Sequence, residues 1–212
     1  MVGKVDERKR AIKPQWVWNQ SRRCRVQRPE LHRVAGRGQE AEMKIDRLSE
    51  QQAEAIIPQL AALLQDAVDS GASVGFLPPL TSEIAEDYWA GALKEVAQGS
   101  RILLVASEAG EVMGAVQLEL ATRQNALHRA EVQKLFVHRR FRNRGIARLL
   151  MSAVESVARE AGRTLLALDT QRGSAAEQLY AKYGYTRAGI VPQYALSVDG
   201  KLHDTVLFYR LL

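Results

Sequence analysis

The spacing of apolar residues changes abruptly around residue 140. Residues 131–137, Glu-Val-Gln-Lys-Leu-Phe-Val, alternate between polar and apolar and contain β-branched side chains, which predicts a strand. From Ile146 the apolar residues recur at steps of three and four as far as Ala161, which predicts an amphipathic helix. The residues between these two segments are rich in arginine. The pattern therefore predicts a unit made of a strand, a basic turn and a helix.

The same two periods divide the rest of residues 43–212. The predicted strands are 43–48, 101–107, 112–121, 130–137, 164–169, 189–197 and 204–209. The predicted helices are 49–71, 82–98, 146–162 and 174–184. Two helix starts carry capping-box patterns, Ser49-x-x-Gln52 and Ser174-x-x-Glu177. The apolar segment 72–80 is interpreted either as a cover for the core or as a wall of a substrate pocket.

Charge separates the first 42 residues from the rest of the 212-residue chain. Residues 1–42 hold eleven Lys or Arg against five Asp or Glu, whereas residues 43–212 hold nineteen of each. The first segment also lacks a periodic apolar face, which predicts a basic and disordered extension followed by one domain over 43–212. A nucleic-acid arm, a targeting segment and translation from an upstream start all remain open for this extension.

Several functional classes are disfavoured by what the sequence lacks. No apolar run approaches the roughly 20 residues that span a bilayer, and the N-terminus has no apolar secretory core. Cys24 is the single cysteine, and the four histidines show no metal-ligand spacing. We therefore expect a soluble, cytoplasmic protein with no metal and no membrane partner.

The arginine-rich turn, residues 138–147, has the features of an anion site. Backbone N–H groups at a helix start have no intrahelical acceptor, and the helix dipole adds partial positive charge there. Gly145 would let an anion approach the backbone closely. The arginines at 139, 140, 142 and 144 are expected to add a positive field that suits phosphate.

The spacing Arg142-x-x-Gly145-x-Ala147 resembles the R/Q-x-x-G-x-G/A signature of the GNAT superfamily of N-acetyltransferases. Further similar segments are Ala130-Glu-Val-Gln-Lys-Leu135, Leu168-Asp-Thr170, Gly173-Ser-Ala-Ala-Glu177, Leu179-Tyr180, Tyr183-Gly-Tyr185 and Pro192-Gln-Tyr-Ala195. Together they resemble the small-molecule branch of the superfamily that includes tabtoxin-resistance acetyltransferases. The resemblance covers residues 43–212.

The resemblance implies a fold and a cofactor. The fold is α+β (α/β-like), with a mixed, mostly antiparallel sheet of about seven strands, helices on both faces and a V-shaped splay between strands 4 and 5. The cofactor is acetyl-CoA, a co-substrate. The backbone of Leu135, Phe136 and Val137 is expected to hold the pantetheine arm. The remaining cofactor-binding residues implied are Arg142, Asn143, Arg144, Gly145, Ile146 and Ala147 for the pyrophosphate, with Ser174 in addition.

Three residues are candidates for the chemistry that the resemblance implies. Acetyl transfer needs a neutral acceptor amine and an acid for the departing thiolate. Asp169 is the candidate base, and Glu131 is its rival. Tyr180 is the candidate acid, because a phenol of pKa about 10 can protonate a thiolate of pKa about 8.5. Each also has a structural interpretation: a turn cap for Asp169, a core side chain for Tyr180 and a solvated carboxylate for Glu131.

The predicted function is transfer of an acetyl group from acetyl-CoA to the amine of a small molecule by direct attack in a ternary complex. Alternatives are a CoA-binding sensor or scaffold without turnover, and acetylation of a protein amine. A nucleic-acid partner, suggested only by the basic segment, is disfavoured. Formation of a homodimer remains open.

Overall fold

Seven strands form one mixed sheet in the computed structural model, which describes residues 42–212. The strands are β1 Lys44–Leu48, β2 Arg101–Glu108, β3 Glu111–Leu120, β4 Arg129–Val137, β5 Leu165–Gln171, β6 Thr186–Leu196 and β7 Leu202–Leu211. The helices are α1 Glu50–Glu54, α2 Ile57–Asp69, α3 Ser82–Ala97, α4 Ile146–Glu160 and α5 Ala175–Lys182. The strand order is β1-β2-β3-β4-β5-β7-β6, with a parallel pair only between β4 and β5.

The single helix predicted over 49–71 is wrong, since the chain forms α1 and α2 there. The capping box is present, with the Ser49 side chain accepting from the Gln52 N–H and the Gln52 side chain accepting from the Ser49 N–H. Ile56 then leaves helical geometry, with φ −120° and ψ 13°. Pro58 follows in the first turn of α2, where its missing N–H is tolerated. The helical segment is therefore interrupted at Ile56, and Pro58 lies in the first turn of a second helix.

Helices cover both faces of the sheet and enclose two apolar cores. On one face, α4 and α5 pack with side chains such as Leu150, Val154 and Leu166. On the other face, α1, α2 and α3 pack around Trp89, whose indole N–H donates to the Leu60 carbonyl at 2.8 Å. This arrangement confirms the predicted fold class.

The splay between β4 and β5 is the feature that positions the site. The two strands pair only from Arg129 opposite Leu165 to Glu131 opposite Ala167. β5 continues to Gln171 along β7, while β4 follows β3. A bulge at Lys134, which has φ +52°, places one extra residue in β4 between Gln133 and Phe136. Beyond residue 131, β4 has no backbone pairing to β5 among the residues described.

Residues 1–41 lie outside the described residues, so the prediction for the basic segment stays a prediction. Within residues 42–212, no helix is both long enough and apolar enough to cross a membrane.

Candidate active site

The arginine-rich turn forms a concave row of backbone amides at the start of α4. Two of its residues have left-handed backbone conformations, Asn143 with φ +63° and Gly145 with φ +78°. The first bond across the start of α4 runs from the Leu149 N–H to the Gly145 carbonyl at 3.2 Å. The N–H groups of Ile146 and Ala147 therefore precede the helical ladder. Left-handed residues next to a helix start make a nest of donors that suits an anion such as phosphate.

The arginines of this turn do not form the free positive field expected from the sequence. Each of three arginines pairs with a carboxylate of the protein: Arg139 with Asp66, Arg140 with Glu111 at 3.1 Å and Arg144 with Glu108 at 2.9 Å. Arg142 instead donates from Nε to the Val137 carbonyl at 3.1 Å, and its nearest carboxylate oxygen is 3.9 Å away on Asp66. Most of the arginine charge therefore holds the turn in place, and the backbone amides with Arg142 remain for an anion.

Asp66 of α2 is a buried anchor for this turn. Its side chain accepts from the backbone N–H of Arg139 at 2.9 Å and from the Arg139 guanidinium. Nε2 of His138 lies 3.6 Å away. Burial alone would raise the pKa of the Asp66 carboxyl, but the hydrogen bonds from Arg139 and the nearby charges outweigh it and lower that pKa. No sequence motif indicated this contact, because α2 and the turn are 73 residues apart.

The backbone of β4 next to the splay carries the residues predicted to hold a pantetheine arm. Phe136 is buried in the core beneath α2 and α3, and Leu135 and Val137 pack on the α4 side. Because β5 has diverged, the edge of β4 that faces it is not paired there. An extended ligand could form strand-like hydrogen bonds with this edge.

Tyr180 is buried on the α5 side of the sheet. Its ring packs against Tyr185 and Phe208 at centroid distances of 6.0 and 6.1 Å. Burial, and secondarily the charge of Asp169, raises the pKa of Tyr180 above its usual value. The hydroxyl therefore stays protonated at neutral pH and can act as a donor.

Asp169 lies on the opposite face of β5 from Tyr180. Leu168 belongs to the core on the α5 side, and side chains alternate along a strand, so Asp169 is directed to the other face. The carboxylate is exposed, and the Thr205 hydroxyl lies 3.0 Å from its Oδ2. Tyr180 and Asp169 thus lie on opposite sides of β5.

Glu131 shares the face of Asp169 and is held by a polar network. Gln133 donates from Nε2 to Glu131 at 3.1 Å and to Glu119 at 2.9 Å. The buried guanidinium of Arg101 contacts Glu119 at 3.1 Å and donates to the side-chain Oε1 of Gln133 at 3.0 Å. The network fixes the Glu131 carboxylate, so its structural and catalytic interpretations both remain.

Ser174 is the N-cap of α5. Its hydroxyl accepts from the Glu177 N–H at 3.2 Å and lies 3.2 Å from the Thr170 hydroxyl. The predicted cap is confirmed, whereas a cofactor contact from Ser174 stays a prediction.

Lys134 is a charged residue of β4 at the splay. Its ammonium donates to the Val74 carbonyl and lies 5.8 and 5.6 Å from the ring centroids of Phe76 and Tyr88. Burial, and secondarily the charge of Arg101, lowers the pKa of Lys134, while Asp169 opposes this shift. The left-handed backbone at Lys134 sets the direction of its side chain. The sequence has no glycine at this position that would have predicted a bulge.

The part of the chain that the structure describes contains no group of three or more His, Cys, Asp or Glu side chains arranged to hold a metal ion. The splay instead leaves an unpaired strand edge directly before a donor nest, with Glu131 on β4 and Asp169 on β5. This combination suits a thioester of a phosphorylated carrier and an amine.

Comparison with known proteins agrees with this geometry. The sequence model of the family described as the acetyltransferase (GNAT) domain matches residues 99–187. A relative from Azospirillum brasilense, described as an uncharacterized N-acetyltransferase in the hisH-hisA intergenic region, is 38% identical over 108 residues. That match covers 50% of this chain and 62% of the relative, so about two fifths of the relative's length has no counterpart in the match.

Solved structures resemble the whole described domain. A ribosomal-protein-alanine N-acetyltransferase from Brucella melitensis superposes with a TM-score of 0.67 and 23% identity, over 79% of this chain and 99% of that chain. A GNAT-family acetyltransferase from Streptococcus pneumoniae superposes with a TM-score of 0.66 and 24% identity, over 81% and 100% of the two chains.

A protein from Salmonella typhimurium described as an acetyltransferase, solved with its cofactor acetyl-CoA, superposes with a TM-score of 0.66 and 19% identity over 80% and 94%. These likenesses show that the chain has the GNAT fold, and residues 99–187 are similar to the acetyltransferase (GNAT) domain.

Proposed function

We propose that this protein is an N-acetyltransferase that transfers the acetyl group of acetyl-CoA to the amine of a small molecule by direct attack in a ternary complex. The observation that carries the proposal is the divergence of β4 and β5 directly before a donor nest at the start of α4. The solved Salmonella relative, which holds acetyl-CoA, supports the choice of cofactor. The small-molecule branch that includes tabtoxin-resistance acetyltransferases is retained as part of this proposal.

The residues fit the cofactor in two places. The amides from Arg142 to Ala147, with the Arg142 guanidinium, would hold the pyrophosphate, since they are donors on a left-handed turn beside a positive helix end. The edge of β4 at residues 135–137 would hold the pantetheine arm through its backbone. Acetyl-CoA supplies an activated acetyl group as a thioester.

The side chains on the two faces of β5 would divide the proton transfers. The amine nitrogen bonds to the acetyl carbonyl carbon while the carbon–sulfur bond breaks. The proton lost by the amine passes to Asp169, directly or through water, with Glu131 as the rival acceptor. The Tyr180 hydroxyl donates a proton to the departing sulfur. Because Asp169 is directed to one side of β5 and Tyr180 packs on the other, the strand separates the base from the acid.

An assay of free CoA release with a panel of amines tests the proposal. The panel contains alkylamines, aromatic amines, amino acids, a polyamine and a peptide with a free N-terminus. Turnover with at least one small amine, and none without an amine, is expected. Tight acetyl-CoA binding by calorimetry without turnover on any amine would favour the sensor or scaffold, and turnover only on the peptide would favour a protein amine.

A further inference from the structure

A groove lies between the segment 72–77, which joins α2 to α3, and the segment 195–198, where β6 ends. Its volume is about 260 Å³. The two walls come from parts of the chain that are about 120 residues apart in sequence, so only the fold brings them together.

Both walls are tied to the strands of the splay. On one side, the Lys134 ammonium of β4 donates to the Val74 carbonyl, and a Cβ on Gly75 would lie 3.3 Å from that ammonium. On the other side, Ala195 pairs with His203, whose ring lies 3.1 Å from the Gln171 amide at the end of β5. The groove is therefore situated at the open end of the splay, on the face that carries Asp169.

The walls of this groove are mainly apolar and contain no ionisable side chain. Leu77, Leu196 and Val198 are 44%, 49% and 47% exposed, which is unusual for side chains of this kind lying close together. The only hydroxyl groups among the lining residues come from Ser73 and Ser197. An apolar ligand would lose its hydration here without leaving a buried charge of the groove unpaired.

The ammonium group of Lys134 contacts the backbone of segment 72–77, which forms one wall of the groove. Among residues 42–212 no carboxylate oxygen forms an ion pair with the Lys134 ammonium within 4.0 Å, and Asp169 acts on this ammonium only from a longer distance. A second ammonium group on a ligand in the groove would approach the Lys134 ammonium, and the two like charges would repel.

From these contacts we infer that the groove binds the body of the acceptor, and that the acceptor is a primary amine with an apolar body and no second cationic group. The inference rests on the proposed function and names the class of its substrate. The amino group points toward Asp169, and the aliphatic or aromatic body lies between segments 72–77 and 195–198.

The volume sets the length of the acceptor. A groove of about 260 Å³ corresponds to roughly nine atoms at the ~30 Å³ that a water molecule occupies in the liquid. Each methylene buried is worth about 0.8 kcal/mol, a factor of about four in kcat/KM. We expect kcat/KM to rise by about two- to fourfold per methylene along a series of primary alkylamines and to level off near eight or nine carbons.

The experiment compares alkylamines from ethylamine to decylamine, with 1,6-diaminohexane as the partner of hexylamine, on the full chain at one pH. The amino groups of the series have nearly the same basicity, so the neutral fraction is matched. Hexylamine should exceed 1,6-diaminohexane by about tenfold or more. Lys134→Met should narrow that ratio, because it removes the repelling charge.

A pair of variants separates the groove from general apolar effects. Leu196→Ser should flatten the dependence on chain length, whereas Leu211→Ser should leave it unchanged, because Leu211 is 72% exposed at the far end of β7. A flat or falling series in the unmodified protein, or a preference for the diamine, overturns the inference while leaving the enzyme intact. Absence of turnover on every amine overturns the proposed function and this inference together.

Discussion

Tyr180 and Asp169 lie on opposite sides of β5 and have different environments. Leu168 of β5 and Tyr180 of α5 share the core on one side of the strand, whereas Asp169 is directed to the other side and is exposed. Burial raises the pKa of Tyr180, so the phenol keeps its proton, whereas the Asp169 carboxylate is exposed and accepts from the Thr205 hydroxyl. These roles are predictions that substitution can separate.

Replacement of Tyr180 by Phe should remove the proton donor and keep the ring packing against Tyr185 and Phe208. We expect kcat to fall by about 10² to 10⁴, the usual range for one general acid, with acetyl-CoA affinity nearly unchanged. Because the pKa of Tyr180 is raised, the unmodified enzyme should lose no activity through its deprotonation up to pH 9. Near-normal kcat in the variant between pH 6 and 9 would remove Tyr180 from the mechanism.

Asp169→Asn keeps the shape of the side chain and its acceptor for the Thr205 hydroxyl but removes its basicity. The deficit in kcat/KM should shrink as pH rises, because more of the amine then arrives neutral. Parallel pH profiles of Asp169→Asn and Glu131→Gln distinguish the two candidate bases. A deficit that does not change with pH in Asp169→Asn, with a pH-dependent one in Glu131→Gln, would transfer the role to Glu131.

The conformation of the turn before α4 is fixed by two features, its left-handed residues and its contacts with Asp66. Left-handed backbone at Asn143 and Gly145 aims the amides, and the buried carboxylate of Asp66 fixes the preceding residues 138 and 139. Three of the four arginines in the turn form close ion pairs with the protein, and the fourth, Arg142, lies 3.9 Å from the Asp66 carboxylate. In the proposed function, this turn would therefore bind the pyrophosphate chiefly through its backbone amides.

Gly145→Val should weaken acetyl-CoA binding more than it weakens the fold. A Cβ at Gly145 meets nothing within 4 Å, so the branched side chain would project over the amides and would also force φ away from +78°. Each charge-assisted bond lost is worth roughly 1.5 to 3 kcal/mol, or at least tenfold in affinity. Gly162→Val is the control, because Gly162 has φ +72° with equal space at the opposite end of α4. Equal affinity in the two variants, measured by calorimetry, would place the anion site elsewhere.

Asp66→Asn should weaken the contact between α2 and the arginine-rich turn, because it removes the charge that pairs with Arg139. Because the folded pKa of Asp66 is lowered, its carboxylate stabilises the fold above the unfolded pKa of about 3.9, and this contribution is lost as pH falls through the folded pKa. The difference in unfolding free energy between the parent and the variant should be about 1.5 to 3 kcal/mol at pH 7 and should narrow below about pH 4.

Binding measurements separate the turn from the rest of the fold in this variant. Asp66→Asn should bind acetyl-CoA about tenfold more weakly but bind pantetheine, which lacks the pyrophosphate, as the parent does. Asp69→Asn on the same helix is the control, since Asp69 is exposed. Equal losses for both ligands would mean that Asp66 supports the fold and not the anion site.

At the scale of the whole molecule, the parts that could be predicted from the sequence are those set by local pattern. The seven strands, the capping box at Ser49, the serine cap at Ser174 and the helix after the arginine-rich turn follow from periods of two and 3.6 and from short-range side-chain contacts. The bulge at Lys134, the Asp66 anchor and the Arg101 network each depend on contacts between distant segments. No local period encodes such contacts, which is why the sequence left these residues without a role.

A chain that begins at Met43 should fold and keep its transfer activity. Every strand and helix of the described fold lies after that residue, and β1 starts at Lys44, paired with Ser107 of β2. Residues 1–42 are basic and lack a periodic apolar face. Ordering each residue costs about 1 to 2 kcal/mol of backbone entropy, and so polar a segment has little apolar area whose burial would offset that cost.

Thermal unfolding and kinetics of the truncated chain test this prediction. The truncated chain should show one cooperative thermal transition within a few degrees of the parent, and its kcat/KM on the best amine should agree within about twofold. Loss of the cooperative transition would mean that the basic segment packs on the domain. Retention of the transition with loss of activity would place residues of that segment at the site.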